Sequence, residues 1–345
     1  MKQSLMRLSG KLMAAHPVSA LTMPGIARNH VNVIYSHYFG RPRPYLYKYN
    51  ASTMSLEALV ALLTKLRRYF VFSTVGEILA DGLGAETAVP NRLAVTFDDG
   101  FDLVREGVID VLRAQGVRAT FFVITDCLDN RHLMWRNKLL AMISAKGRQV
   151  VGQHLLALHD EVGLTVRTAT DADPLVTTYQ WPMDRKEDLV DDLWQRCDMP
   201  PVRAFLDEHK PYFSLGDLRR LQRDGHEIGL HSRTHPLCPR LSDAQIEQEF
   251  VGPAQWLKET FGLTQVPMSY PFGPRLPAAA EQRLVSAGIV SAALGVRGFT
   301  RRPAEPCRLD RADVERCPEF QVFARPMVPS VFRSALASSP RSAAA

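Results

Sequence analysis

Two adjacent carboxylates, Asp98 and Asp99, form the pattern in this chain that most clearly suggests chemistry. They follow the apolar run Leu93–Val95 closely and precede Gly100, which predicts a buried strand ending in a tight turn. Because successive side chains of a strand point in different directions, one carboxylate can bind a metal ion while the other faces a substrate. Aspartates at strand ends also commonly cap the next helix, and the pair alone would favour that structural interpretation.

A second pattern lies far downstream, where His231 and His235 follow another predicted strand and Pro236 comes directly after them. The proline favours a compact loop or a single turn over a continuing helix. One carboxylate and two neutral imidazoles suit Zn²⁺ or another divalent ion with open positions. Such an ion lowers the pKa of a water and polarises a carbonyl, and a second carboxylate nearby can take the proton of that water. Together the two patterns predict a hydrolytic metal site.

Apolar periodicity predicts a scaffold of alternating strands and helices joined by short connections, the signature of parallel βαβ units. The predicted strands cover residues 31–35, 70–72, 93–97, 119–124, 226–230, 266–270 and 289–294. The predicted helices cover residues 55–66, 74–81, 102–115, 214–224, 243–261 and 278–287, with Ser55 and Ser242 as N-caps. Residues 126–211 break this alternation and are expected to form a mostly helical insertion, including a helix over 185–195.

The bulk composition favours a folded enzyme. Apolar residues make up 46% of the 345 residues, and the net charge of +6 comes from basic and acidic residues that are mixed along most of the chain. A dedicated nucleic-acid binder usually has denser basic patches, so no nucleic-acid partner is expected. The five cysteines include no CxxC pair, which favours reduced thiols and a cytoplasmic location over a disulfide framework.

Residues 1–30 form a basic N-terminal segment, because no acidic residue precedes Glu57. This charge indicates either a solvated edge or contact with phosphates on lipid or substrate. Leu5, Leu8 and Leu12 recur at helical spacing, so a peripheral membrane helix and an ordinary terminal helix both remain open. We find no signal-peptide pattern and no apolar run of about 18 residues, and we expect residues 334–345 to be a disordered tail.

The segments 96–100 (TFDDG), 231–235 (HSRTH) and 269–273 (SYPFG) resemble the first three motifs of the polysaccharide deacetylases, the NodB-homology family or carbohydrate esterase family 4. The resemblance covers roughly residues 30–125 and 212–315. It implies a distorted (β/α) barrel, often of seven strands, over residues 31–333. It also implies a set of site residues: Asp98 as general base; Asp99, His231 and His235 as metal ligands; and Phe272, through its main-chain N–H, in the oxyanion site.

Three departures from the family pattern concern the reaction. Ser269 stands where the family often has arginine, and Arg308 or Arg311 is a candidate to supply a similar charge. We therefore expect Tyr270 and Arg311 beside Phe272 on the substrate side of the site. No histidine follows His235 to act as the family's late general acid, and His37 is the candidate replacement. The family is also often exported, whereas this chain shows no export signal.

These observations predict a metal-dependent hydrolase, with Zn²⁺ as the expected cofactor, that removes an acyl group from an amino sugar. The expected acyl group is acetyl, and the expected substrate is a cytosolic nucleotide- or lipid-linked intermediate of surface-polysaccharide biosynthesis. Two alternatives remain open at this point. One is a deformylase or non-sugar amide hydrolase of the same fold, and the other is a non-catalytic sugar-binding protein.

Overall fold

The computed structural model describes residues 16–46, 54–163 and 173–315. The chain divides into two compact units. Among the described residues, the first unit contains residues 16–40, 54–129 and 212–315, and the second contains residues 41–46, 130–163 and 173–211. The predictions for Leu5, Leu8 and Leu12 and for the tail at 334–345 fall outside the described residues.

The first unit is built on one sheet of short strands. The strands are β1 His30–Ser36, β2 Val71–Ser73, β3 Arg92–Phe97, β4 Ala119–Val123, β5 Glu227–Leu230, β6 Met268–Ser269, β7 Ala293–Gly295, β8 Thr300–Arg301, β9 Leu309–Asp310 and β10 Ala312–Asp313. Neighbouring strands run in the order β10-β1-β3-β4-β5-β6-β7-β9, and the pairs along this path are parallel. β2 adds in parallel to β3, and β8 pairs antiparallel with β1.

The sheet nearly closes on itself. Its two terminal strands, β9 and β10, are consecutive in the chain and are separated by a single residue, Arg311. Strands β1, β3 and β4 are buried along nearly their whole length, as expected for parallel strands covered on both faces. The predicted distorted (β/α) barrel is therefore confirmed, with eight strands along the path.

Helices connect these strands. They are α1 His16–Asn29, α2 Leu56–Leu66, α3 Val75–Asp81, α4 Val108–Ala114, α5 Trp135–Lys146, α6 Arg148–Val162, α7 Pro174–Gln180, α8 Lys186–Arg196, α9 Val202–His209, α10 Leu215–Arg223, α11 Asp243–Ile246, α12 Gly252–Phe261 and α13 Ala278–Ser286. Ser55 and Ser242 cap α2 and α11 as predicted, each accepting a hydrogen bond from a main-chain N–H of the first turn. No helix of the described ranges is both long and apolar enough to cross a membrane.

The structure corrects several predicted boundaries. The helix expected over 102–115 is limited to α4, because Gly107 adopts the left-handed conformation (φ 80°) at its start. The strands expected at 266–270 and 289–294 shrink to β6 and β7, and β8, β9 and β10 were not predicted. Strands of two residues are too short to show the alternation from which strands are predicted.

The described part of the second unit consists largely of helices α5 to α9, which confirms the mostly helical insertion. Its interior contains charged groups as well as apolar ones. The Lys138 ammonium is buried on α5 and pairs with Glu187 (3.1 Å) and Asp191 (2.5 Å) on α8. Since a buried ammonium requires compensating charge, these ion pairs join the two helices.

Candidate active site

Most of the predicted site residues lie at one edge of the first unit's sheet. Asp98 and Asp99 follow β3, and His231 follows β5. Ser269 ends β6, and His37 follows β1. Because these strands are parallel, their carboxyl ends meet at the same edge, where (β/α) barrels place their reactive groups.

Asp99, His231 and His235 form a tight cluster. Nε2 of each imidazole lies 3.3 Å from Oδ1 of Asp99, and the three side chains are almost completely buried. Each offers one ligand atom, and these atoms lie within 4.8 Å of one another. Burial alone would raise the pKa of Asp99, but the electrostatic attraction of the two imidazoles, His235 first and then His231, holds that pKa well below its ordinary value. The carboxylate is therefore ionised and ready to bind a cation.

The cluster fits a divalent metal ion. Among the described residues, Oδ1 of Asp99 is buried without a hydrogen bond of normal geometry, although two ring nitrogens point at it. A buried polar atom of this kind calls for a partner, and nitrogen and carboxylate ligands suit Zn²⁺. Three protein ligands also leave a position open for water or substrate, as in catalytic zinc sites.

Ser269 orients His231 for this role. Its hydroxyl donates to Oδ1 of Asp98 (3.2 Å) and lies 2.7 Å from Nδ1 of His231, which also lies 3.0 Å from the Ser269 carbonyl. Since the Ser269 hydroxyl gives its own proton to Asp98, the proton in its contact with His231 must be carried by Nδ1. This tautomer leaves the lone pair on Nε2, the atom that faces Asp99.

Strained main-chain conformations concentrate around the cluster. Asp99 (φ 70°), Ser232 (φ 70°), His235 (φ 67°) and Phe272 (φ 60°) all lie in the left-handed region. For a non-glycine residue such a conformation costs on the order of 1–3 kcal/mol and persists where surrounding contacts enforce it. Here Ser232 supplies one such contact, because its hydroxyl accepts from the main-chain N–H of His235 at 2.9 Å.

Asp98 is held by Arg311 and is not one of the three side chains of the Asp99 cluster. Nη1 and Nη2 of the guanidinium donate to Oδ1 (2.7 Å) and Oδ2 (2.8 Å), which is the two-pronged geometry of a strong arginine–carboxylate pair. Both side chains are buried. Burial alone would raise the pKa of Asp98, yet Arg311, followed by His231, keeps that pKa below its ordinary value.

The environment of Arg311 explains why its charge is tolerated inside the barrel. The guanidinium donates to the Thr96 hydroxyl (3.1 Å) and the Gly295 carbonyl (3.3 Å). It also lies over the rings of Tyr35 (4.7 Å) and Phe122 (5.2 Å), which supply cation–π attraction. Arg308, the other sequence candidate for this charge, is exposed.

His37 is fixed by a residue that the sequence reasoning missed, Glu315. Nδ1 of His37 lies 3.2 Å from both oxygens of the Glu315 carboxylate, and the Ser36 hydroxyl donates to the same group at 2.9 Å. Burial alone would raise the pKa of Glu315, but His37 and these hydrogen bonds hold it below its ordinary value. A positive charge on His37 also favours the ionised forms of Asp98 and Asp99, which adds a small lowering of both pKa values.

Phe272 and Tyr270, which both follow β6, have different surroundings. The Phe272 ring packs edge-on against the His235 imidazole, with ring centres 4.3 Å apart. Tyr270 instead is buried, and the Arg275 guanidinium lies over its ring, 5.4 Å from the ring centre. Glu281 is close to the phenol. Burial and the charge of Glu281 raise the pKa of the phenol. The Tyr270 side chain is therefore not part of the Asp99 cluster.

The missed residue Glu315 carried a weak sequence signal. Charged residues alternate with apolar ones over residues 311–315, where Arg311, Asp313 and Glu315 are separated by Ala312 and Val314. This is the spacing of side chains on one face of a strand. The first of them pairs with Asp98 and the last with His37. Interpreting this stretch as a strand would have placed Arg311 and Glu315 on the same face of it.

A family model described as polysaccharide deacetylase matches residues 85–173 and 201–291, more than half of the chain. A sequence comparison with curated proteins gives no match.

Among solved structures, a Streptococcus pyogenes deacetylase, PplD, in complex with acetate superposes with a TM-score of 0.56 at 12% identity. The alignment covers 87% of this chain and 99% of that one. IcaB from Ammonifex degensii superposes with a TM-score of 0.52 at 17% identity, covering 82% of this chain and 91% of that one. At these identities the superpositions support the fold, whereas the family model identifies the family. The chain belongs to the polysaccharide deacetylase family, and membership implies a hydrolase that deacetylates carbohydrate.

Proposed function

We propose that this protein is a metal-dependent N-deacetylase that removes the acetyl group from an amino sugar. The observation that carries the proposal is the pairing of two unlike carboxylates. Asp99 is directed at two imidazole nitrogens, and the adjacent Asp98 is held ionised by an arginine. One site thus offers both a place for a cation and a base beside it, which is what hydrolysis of an unreactive amide requires.

Asp99, His231 and His235 would hold the metal ion, with Zn²⁺ as the expected species. When bound, a divalent ion of this kind acts as a Lewis acid that lowers the pKa of a water and polarises a carbonyl oxygen. Ser269 prepares His231 for this by keeping the ring proton on Nδ1. Its hydroxyl also joins the ligand to the base, because it contacts both His231 and Asp98.

Asp98 acts as the general base. Oδ1 accepts from both Arg311 and Ser269, whereas Oδ2 accepts from Arg311 and has a second lone pair with which to receive the proton of the attacking water. Arg311 was expected on the substrate side of the site. Its contacts favour a different role, in which it orients Asp98 and keeps it charged.

The tetrahedral oxyanion is assigned to the main-chain N–H of Phe272. The supporting observation is the contact of its ring with His235, which puts this residue beside the metal ligands. Oriented N–H donors of this type stabilise developing negative charge. Tyr270 is assigned to the support of this turn, because its buried ring packs against Arg275.

His37 is proposed as the general acid that protonates the leaving nitrogen. Collapse of the tetrahedral species breaks the C–N bond, the nitrogen takes a proton from His37, and acetate and a free amine are released. Glu315 supports this role by fixing Nδ1 and stabilising the imidazolium. Replacing His37 with alanine should slow amide cleavage by about 10²–10⁴-fold and spare an activated aryl ester, whose leaving group needs no proton. Equal losses on both substrates would assign His37 a structural role.

The proposed substrate is a nucleotide- or lipid-linked amino sugar in surface-polysaccharide biosynthesis, and the proposed location is the cytoplasm. Four of the five cysteines lie in the described part of the chain, and all four are buried as thiols. Burial raises the pKa of the Cys197 thiol to about 11, so this thiol is unreactive. The positive charge of the N-terminal segment is consistent with a phosphate-bearing substrate.

The test is acetate release from a panel of amino sugars, comprising an N-acetylglucosamine oligosaccharide, a nucleotide-linked N-acetylhexosamine and an N-formyl analogue of each. We expect acetate release that chelation abolishes and added Zn²⁺ restores. Release of formate but not acetate would favour the deformylase alternative. Tight sugar binding without turnover at any metal content would favour a non-catalytic binding protein.

A further inference from the structure

The polypeptide between α11 and α12 contains a wide helical turn. Residues Glu247–Val251 form a π-helix, in which the N–H of Gly252 reaches back to the carbonyl of Glu247. Pro253 follows, and a proline has no N–H to continue the normal pattern of the helix. Single π-turns insert one extra residue into a helix and occur frequently at functional sites. Here the turn contains a buried carboxylate, Glu249.

Glu249 is fully engaged with the loop that carries His231 and His235. Its Oε2 accepts from the main-chain N–H groups of Arg233 (3.1 Å) and Thr234 (2.9 Å). Its Oε1 accepts from the Thr234 hydroxyl at 2.7 Å. One side chain therefore satisfies three donors on the two residues that immediately precede His235.

The loop depends on such contacts because its conformation is strained. Ser232 and His235 both have positive φ, as described above. On the other side, the carbonyls of Ser232 and Arg233 accept hydrogen bonds from the main-chain N–H groups of Thr125 and Asp126, each at 3.2 Å. Removing Glu249 would leave its three donors unsatisfied, so the loop would relax toward conformations that move His235.

We propose that Glu249 is a positioning residue of the metal site, which holds His235 in its ligating position through Thr234. The inference rests on the proposed function, since it presumes that the Asp99 cluster binds a metal ion. Groups that orient metal ligands from behind typically contribute 10- to 100-fold in metal affinity.

The experiment compares Zn²⁺ affinity, measured by competition with a chromophoric chelator, in the full-length protein and its variants. Glu249→Ala should weaken Zn²⁺ binding by about 10–100-fold. Glu249→Gln should recover most of the affinity, because its amide oxygen can still accept from both N–H groups. The matched control is Glu247→Ala, which removes an exposed carboxylate from the same wide turn and should leave affinity unchanged.

Circular dichroism and thermal unfolding of the metal-free proteins verify that each variant is folded. Should Glu249→Ala fail to fold, Thr234→Val removes one of the three hydrogen bonds and should weaken Zn²⁺ binding several-fold. Wild-type affinity in folded Glu249→Ala, or in Thr234→Val where that variant replaces it, overturns the inference. Failure of the wild-type protein to bind Zn²⁺ instead overturns the proposed metal site, so the two failures are distinguishable.

Discussion

Two carboxylates at opposite edges of the same sheet have different neighbours, and these neighbours shift their pKa values in opposite directions. Asp98 lies at the carboxyl edge and is gripped by the Arg311 guanidinium. Glu227 begins β5 at the amino edge, where it accepts from the main-chain N–H of Gly76 (3.0 Å) and from the Thr120 hydroxyl (2.6 Å). The pKa of Asp98 is lowered, whereas burial raises the pKa of Glu227.

The difference lies in the charge of the donors. Neutral hydroxyl and N–H donors lower the pKa of Glu227, but burial outweighs them. At Asp98 the Arg311 guanidinium and His231 together outweigh the effect of burial, so the pKa falls. Glu227 therefore ties the start of α3 to the sheet, while Asp98 remains an ionised base at neutral pH.

Removing the Arg311 guanidinium that pairs with Asp98 should produce the largest effect on stability and activity. Arg311→Met leaves a buried carboxylate without its partner, which typically costs about 3–5 kcal/mol of unfolding free energy. Urea denaturation measures this loss, and deacetylation should fall with it because the base is neither oriented nor charged. Arg308→Met, which removes an exposed arginine nearby, is the control and should change neither quantity. Wild-type stability in Arg311→Met would show that the pair does not support Asp98.

Removing the Ser269 hydroxyl, which contacts both Asp98 and His231, should have a smaller effect, on Zn²⁺ affinity. Ser269→Ala deletes the contacts to Asp98 and His231 but keeps the Ser269 carbonyl, which lies 3.0 Å from Nδ1. We expect Zn²⁺ affinity to fall by about tenfold, at the low end for groups that orient metal ligands. Isothermal titration with Zn²⁺ measures this change. Unchanged affinity would mean that the carbonyl alone fixes the tautomer.

The smallest effect on activity is expected at the amino edge. Glu227→Gln should change deacetylation by no more than about a factor of two, as for substitutions outside the site. The substitution should instead change how the free energy of unfolding depends on pH. Because the pKa of Glu227 is raised above its ordinary value of 4.5, the stabilisation from this group is present below pH 4.5 and is lost as the pH rises through the raised pKa.

Unfolding free energies of the wild type and Glu227→Gln at several pH values measure this dependence. As the pH rises from 4.5, the unfolding free energy of the wild type should fall relative to that of Glu227→Gln. A difference that is independent of pH would show that Glu227 has an ordinary pKa.

The parallel βαβ scaffold and the placement of Asp99 and His231 at strand ends were predictable from strong local patterns, whereas the closure into a barrel was implied by the family resemblance. A buried strand of six residues precedes Asp98 and a shorter one of four residues precedes His231, and the carboxyl ends of parallel strands meet at one edge of the sheet. The partners of these residues were harder to find. Arg311 and Glu315 lie beside strands of two residues, and their sequence separation from Asp98 and His37 exceeds 200 residues. Glu249 was missed because a π-turn, which no apolar pattern reveals, carries it to the histidine loop.

The division of labour between the two adjacent aspartates is tested most directly by measuring Zn²⁺ content and acetate release in Asp98→Asn and Asp99→Ala together. We expect Asp98→Asn to retain a stoichiometric metal ion while its acetate release falls by about 10²–10⁴-fold, the usual contribution of a general base. Asp99→Ala should lose both the metal and the activity. Full acetate release by Asp98→Asn, or Zn²⁺ binding and turnover by Asp99→Ala at wild-type levels, would contradict the assignment of the proton to Asp98 and the metal to Asp99.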